Sequence, residues 1–437
     1  MSTFMFYYST YLFGYRLLIF FRGRNMIQTQ MNHKELITPN TTAQIYNIIR
    51  SNGEINRMDI TRLSGVSKST ISLQINKLIK LGLIEEKTPP DSSQRKLKLQ
   101  IRGDLGFVAG VFLGITKLSI IIFNLDLRIE CEKVHYFDSI SDPEECNRQI
   151  IQQLKDLCRD NGIERLWGIG IGFPFPVNFR DGKPDSPPNV PLWHDYPLRR
   201  IYEKEFGCPV LIDNDVNVMA LGEGHKGCTT EESDFLFVKV GTGIGAGLIV
   251  DGKIYRGAKG CAGDIGHIEV DGSNVRCHCG NKGCLEAVAG GKALAARATE
   301  IAAKNESPYL KELLTRNQQL SAMDINNGAI AGDLSCIQLI KEAGTVIGSV
   351  LAKLVSFFNP SSIVIGGGLS AFGNLFVGAM REAVIRRSLH LATFELNVCI
   401  SELKDKSGPT GAGTLIIDHI FSSQEFTSTI KRNLRAG

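Results

Sequence analysis

The sequence predicts an α/β protein in which a small basic winged helix-turn-helix precedes a larger, duplicated two-lobed body. Three observations carry this expectation. Two strand-rich triplets, opening near residues 106 and 234, are each followed by helices and a further strand. Ahead of the first triplet lie three short helices and a basic hairpin. Charge divides along the same boundary. Residues 41–102 hold eleven Lys/Arg against five Asp/Glu, whereas the 437-residue chain as a whole carries only +4. The body is therefore net acidic, and a polyanion partner is expected for the head alone.

The first thirty residues stand apart. "FMFYYSTYLFGYRLLIFF" (4–21) is apolar and aromatic, but Arg16 interrupts it and it barely reaches spanning length. No small-residue cleavage site follows. Residues 1–34 are read as an extension outside the fold, and a membrane anchor there is the disfavoured alternative. With 43% hydrophobic and 22% charged residues, the rest suits a globular protein. The eleven cysteines lie largely in apolar runs, as at Cys158, Cys336 and Cys399, and read as reduced thiols of a cytoplasmic protein.

The head is expected over 35–102 and the body over 103–437. "TTAQIYNIIRSNG" (41–53) turns Ile45, Ile48 and Ile49 inward and closes at Gly53. "NRMDITRLSG" (56–65) starts at a capping Asn56 and stops at Gly65. In "SKSTISLQINKLIKLG" (67–82) Ile71, Ile75, Leu78 and Ile79 form one stripe. Ser67, Lys68, Ser69, Thr70, Ser72, Gln74 and Lys77 fall off it or at its start, as short polar groups facing base edges would. Residues 83–101 alternate, turn at Pro89–Ser93 and alternate again, which makes a wing whose Arg95, Lys96 and Lys98 reach a neighbouring groove or backbone. The expected partner is double-stranded operator DNA, bound by a homodimer or dimer of dimers, since half-site symmetry mirrors protein symmetry.

In the body, "GHIEVDGSNVRCHCGNKGC" (266–284) gathers Cys277, Cys279 and Cys284 with His267 ten residues upstream. Three thiolates and one imidazole complete a tetrahedral zinc shell with no position left for water, so the metal is structural. His278, inside the loop, is the rival nitrogen. "VKVGTGIGAG" places Gly241, Thr242, Gly243 and Gly245 in a hairpin whose amides suit a phosphate. "VLIDNDVNVMALGEG" places Asn214, Asp215 and Asn217 at a strand-to-helix junction, where such groups bond several hydroxyls of a sugar and Asp215 can take a proton from one. Asn189 and Trp193 sit in a Pro-rich loop suited to walling the same site.

Taken together, the His267-to-Cys284 segment with Glu286, "NDVNVMALGEG" and the glycine hairpin resemble the ROK family of repressors, open reading frames and sugar kinases. The resemblance covers 106 to roughly 420, and the regulator branch carries the added winged helix. It implies a duplicated actin-like, hexokinase-like (RNase H-like) body. It also implies a sugar pocket formed by Asn189, Asn214, Asp215, Asp264, His267 and Glu286, with Asp215 at the family's catalytic-base position. Asp264 stands where kinases of the family carry Glu. Kinases of the family open the body with an Asp-x-Gly-Gly-Thr turn for nucleotide phosphates and Mg²⁺. Here that stretch reads Phe112-Leu113-Gly114-Ile115-Thr116, and Phe175 replaces a family Gly in "GFPFPV". An aromatic ring cannot hold a cation, and a branched side chain blocks close backbone approach. The expectation is a sugar- or sugar-phosphate-responsive regulator, most simply a repressor, that is not an enzyme and whose Gly241–Gly245 turn is vestigial. An ATP-dependent sugar kinase with a DNA-binding appendage is the alternative.

Overall fold

The computed structural model describes residues 39–87, 97–137, 141–185 and 190–434, together with three backbone strands between residues 7 and 29. Those strands, β1 (Tyr7–Leu12), β2 (Tyr15–Arg22) and β3 (Asn25–Thr29), pair antiparallel as a sheet of their own within the segment read as an extension. The chain forms two compact units. One comprises Met1–Arg102 with His419–Gly437, and the other Gly103–Asp418.

In the first unit, α1 (Pro39–Asn52) buries Ala43, Ile45, Tyr46 and Ile49. Asn56 caps α2 (Arg57–Ser64), accepting from the amides of Met58 and Asp59, and the helix stops where Gly65 turns left-handed at φ 66°. Ser67 caps α3 (Lys68–Lys80), whose Ile71, Ile75 and Leu78 close the three-helix core. Strands β4 (Ile84–Lys87) and β5 (Lys98–Ile101) form the expected antiparallel wing; its tip, with Arg95 and Lys96, lies outside the described residues. The second unit begins at Gly103 and ends at Asp418. Residues from His419 onward belong to the first unit, where Phe421 packs tilted and Phe426 edge-on against Tyr46 at ring distances of 4.5 and 5.5 Å. The Asn47 amide also donates to the Phe421 carbonyl at 2.8 Å.

The second unit opens with β6 (Phe107–Leu113), β7 (Lys117–Asn124) and β8 (Ile129–Tyr136), followed by α4 (Pro143–Asp160), capped by Asp142. Then come β9 (Leu166–Phe173), the short pair β10 (Val177–Asn178) and β11 (Lys183–Pro184), α5 (Leu198–Phe206), β12 (Val210–Asn214) and α6 (Asp215–Lys226). The second half repeats the triplet as β13 (Phe235–Val240), β14 (Ile244–Val250) and β15 (Lys253–Tyr255). Its helices are α7 (Leu285–Ala289), α8 (Gly291–Ala303), α9 (Pro308–Asn317), α10 (Ala322–Ile330) and α11 (Leu334–Phe358). The chain continues through β16 (Ser362–Gly366), α12 (Gly373–Arg387), α13 (His390–Thr393), β17 (Asn397–Ile400) and α14 (Ser407–Ile420) to α15 (Phe426–Leu434) of the first unit.

The duplication is explicit in the sheets. The first runs β12-β9-β6-β7-β8 and the second β17-β16-β13-β14-β15. In each, three consecutive strands pair antiparallel and two later strands add in parallel to the first of them. Helix α14 lies backbone to backbone on α6. A Cβ on Gly411 would stand 1.5 Å from the Val218 carbonyl oxygen, so only glycine permits that approach. By length and composition α11 is apolar enough to cross a membrane, yet its Leu339, Ile340, Ile347, Leu351 and Val355 are buried in the core of the second lobe.

Candidate functional site

A cavity of about 180 Å³ lies where the carboxyl end of β12 meets α6 and faces the β13–β14 hairpin, the place where open α/β sheets take ligands. Its walls include Asn214, Asp215, Asn217, Lys239, Asp264 and Glu286. Four of the expected pocket residues, Asn214, Asp215, Asp264 and Glu286, therefore come together from three separate stretches of chain. Asn189 lies outside the described residues. His267 is not among the lining residues and sits with the cysteines instead. Trp193 is fully buried, packing edge-on against Phe173 at 4.9 Å, and belongs to the first lobe's core rather than to the cavity wall. Phe175 turns toward the same core beside Phe173, and its neighbours Pro174 and Pro176 line the cavity.

Each polar group has a local anchor. Asn214 caps α6 by accepting from the Val216 amide at 3.0 Å and donates to the Phe175 carbonyl at 3.2 Å. Asp215 is 3% exposed and forms an ion pair with Lys239 of β13. Its neighbour Asp213 is buried too. One oxygen accepts from Asn217 and from the Asn214 amide, both at 2.8 Å, and the other from Arg256 at 2.7 Å. The Arg256 guanidinium in turn lies 3.7 Å above the Phe179 ring. Glu286 accepts from the Ile244 amide at 3.1 Å and presses against Gly243. In the glycine hairpin the Gly241 amide bonds the Gly243 carbonyl at 2.9 Å. The Gly241 amide, one of those expected to face a phosphate, and that of neighbouring Ile244 are thus occupied within the protein. Both Lys239 and Asp213 escaped the sequence reading.

Beside the cavity, His267, Cys277, Cys279 and Cys284 bring one ligand atom each to within 4.8 Å of all the others. The Cys279–Cys284 sulfur separation is 3.7 Å, and His267 Nδ1 lies 3.7 Å from Cys277 Sγ. A tetrahedron with sulfur bonds of about 2.3 Å has edges of about 3.8 Å, so the donor set fits one thiophilic divalent ion. The rival His278 is exposed, and its Nδ1 lies 3.5 Å from Glu286. Burial pushes the Cys284 thiol up to about 12, while the Asn281 amide holds Cys279 below its ordinary value. A bound cation would reverse the first effect by displacing the proton. Backbone bonds from Val270 to Gly283 and from Cys277 to Asn281, both 2.8 Å, pin the loop.

At the opposite hairpin, Phe112 is half-buried and packs against the apolar cluster that contains Val216, Met219 and Phe237. A Cβ on Gly408 would come within 2.1 Å of its ring, so glycine there makes room for the phenyl group. Ile115 is exposed at the tip of the turn, which the Gly114 amide closes on the Lys117 carbonyl at 2.8 Å. A second cavity, of about 680 Å³, borders Thr116, Gly241, Thr242 and Lys292.

On the head, Ser67, Lys68, Ser69 and Lys77 are exposed, and Thr70 and Ser72 half-buried. Gln74 is a correction. It is 5% exposed and accepts from the Thr42 hydroxyl at 2.6 Å, so it serves the helix interface and does not face solvent. The Ser67 hydroxyl is engaged in capping α3, and Lys98 pairs with Glu54 at 3.3 Å. The exposed stripe of α3 is Ser69, Leu73, Asn76 and Lys80, spaced four, three and four residues apart. That spacing alone would have found Asn76 and Lys80.

Residues 108–419 match the ROK family, and residues 40–85 a winged helix-turn-helix DNA-binding family. The chain belongs to the ROK family. The xylose repressor of Caldicellulosiruptor bescii is 32% identical over 383 residues, covering 86% of this chain and 95% of that protein. The glucokinase of Halalkalibacterium halodurans is 33% identical over 252 residues, covering 57% of this chain and 76% of the enzyme. Among solved structures, a ROK family transcriptional regulator described as a homologue of the E. coli MLC protein superposes with a TM-score of 0.78, covering 90% of this chain and 99% of its own. At 24% identity that likeness speaks for the fold alone. Relatives named as repressors and relatives named as glucokinases thus both match this chain.

Proposed function

We propose that this ROK protein is a sugar-responsive DNA-binding repressor of carbohydrate-utilisation genes, acting in the cytoplasm as a dimer. The observation that carries the reading is a winged helix with an exposed polar and cationic recognition face, on the same chain as a cavity walled by Asn214, Asp215, Asp264 and Glu286. The head would lie along the major groove, with Lys68, Ser69, Asn76 and Lys77 facing bases and phosphates. Sugar in the cavity favours one state of the body, and operator affinity falls by the same factor as operator weakens sugar binding. The Cys277–Cys279–Cys284–His267 cluster would hold structural zinc, keeping the loop that carries Glu286 in place.

Phosphoryl transfer is the less favoured reading. Its support is the retained Asp215 and the second cavity beside Gly241 and Thr242. Against it stand Phe112 within hydrocarbon and the engagement of the Asp215 carboxylate by the Lys239 ammonium. Fluorescence anisotropy on the chain's own promoter DNA, with and without a panel of sugars, tests the proposal. A sugar-dependent change in operator affinity is expected. Operator binding indifferent to every sugar, together with ADP release on adding ATP and a hexose, would replace it with the kinase.

A further inference from the structure

We propose that the cavity takes an uncharged sugar and rejects its phosphate ester, because the single ammonium facing it is already committed. This rests on the reading of the cavity as a sugar site. Among the described lining residues Lys239 is the one cation, and its ammonium is paired with the buried Asp215 carboxylate. Arg256, the neighbouring guanidinium, is held by Asp213 and Phe179 and does not line the cavity. Two further carboxylates, Asp264 and Glu286, remain on the wall, so three carboxylates face one ammonium. The undescribed stretch 186–189, Ser-Pro-Pro-Asn, has no charge to change that balance.

Such a wall suits hydroxyls. Each sugar hydroxyl donates to a carboxylate or amide oxygen, and Asn214 and Asn217 provide amide groups of both kinds. Among the described lining residues a phosphate dianion finds neither a free cation nor a charge-neutral wall. It must either be placed against like charge, which is unfavourable, or detach Lys239 and leave the buried Asp215 unpaired. Sugar acids meet the same obstacle. Lys239 is therefore a specificity-determining residue: its engagement with Asp215 denies the cavity the anion-binding group that a lysine on a strand would otherwise supply.

The test is isothermal titration of the full chain with aldopentoses, aldohexoses and N-acetylhexosamines, each alongside its terminal phosphate. The expected result is one neutral sugar bound, with its phosphate weaker by about 100-fold or more. Asp264→Asn should narrow that ratio about tenfold, and raising salt should narrow it in the unmodified protein. A phosphate ester bound as tightly as its parent, or more tightly, overturns the inference and leaves the sugar site standing. If neither form of any sugar binds, the sugar reading fails and the inference with it.

Discussion

The β6–β7 turn of the first sheet and the β13–β14 turn of the second hold the same place in a repeated strand order. In the second, Gly241, Thr242 and Gly243 survive, and the turn is tied to Glu286 through the Ile244 amide. In the first, the strand leading into the turn carries Phe112, which packs into hydrocarbon, and Ile115 projects from the tip. Strand order follows from alternating apolar positions and tolerates either turn. Turn chemistry is free to diverge because the strand order does not depend on it. One duplicated scaffold therefore carries a turn that lines a cavity and a turn absorbed into packing.

The largest test of that contrast is Phe112→Asp. If the first turn is now a packing element, a carboxylate there lowers stability by about 3–5 kcal/mol in urea unfolding and confers no ATP hydrolysis. A variant that stayed stable and gained Mg²⁺-dependent ATP turnover would break the comparison. Next is Cys284→Ser. The expected outcome is loss of stoichiometric metal by elemental analysis, with about tenfold weaker sugar binding as the Glu286 segment loosens.

A finer contrast comes from adding one methyl to each turn. On Gly243 a Cβ would stand 2.4 Å from Glu286 Oε2, and Gly243→Ala should weaken sugar binding about tenfold or more. On Gly114 the nearest atom is the Lys117 carbonyl oxygen at 3.3 Å, so Gly114→Ala should leave sugar affinity within about twofold. Equal effects in the two would mean that the turns have not diverged. Smallest is Lys117→Ala beside the first turn. It removes an ion pair to the exposed Asp405, and its effect on unfolding should stay below about 1 kcal/mol.

What was legible in the sequence is what is locally encoded. Asn56 and Gly65 delimit α2 because a cap and a left-handed stop act within one turn of the chain. The strand triplets show because alternation is a nearest-neighbour property. The cluster of His267, Cys277, Cys279 and Cys284 shows because three of its four side chains lie within eight residues. Gln74 misled because its neighbours mark it as off the apolar stripe, whereas its burial depends on Thr42, 32 residues away. Lys239 was missed because a lysine in a strand reads as solvent-facing, and its partner Asp215 lies on another element. The helix Phe426–Leu434 was assigned to the body because its amphipathic face does not reveal which core it covers.

That last helix bears on how the molecule is made. The amide of Asn47 waits for a carbonyl 374 residues downstream, and Tyr46 for the rings of Phe421 and Phe426. The winged helix emerges from the ribosome long before these partners are synthesised, so it must stay incomplete while the whole body folds. A nascent regulator of this design therefore acquires its finished reading head only after its sensing body exists, and a chain truncated during translation lacks part of that head's core.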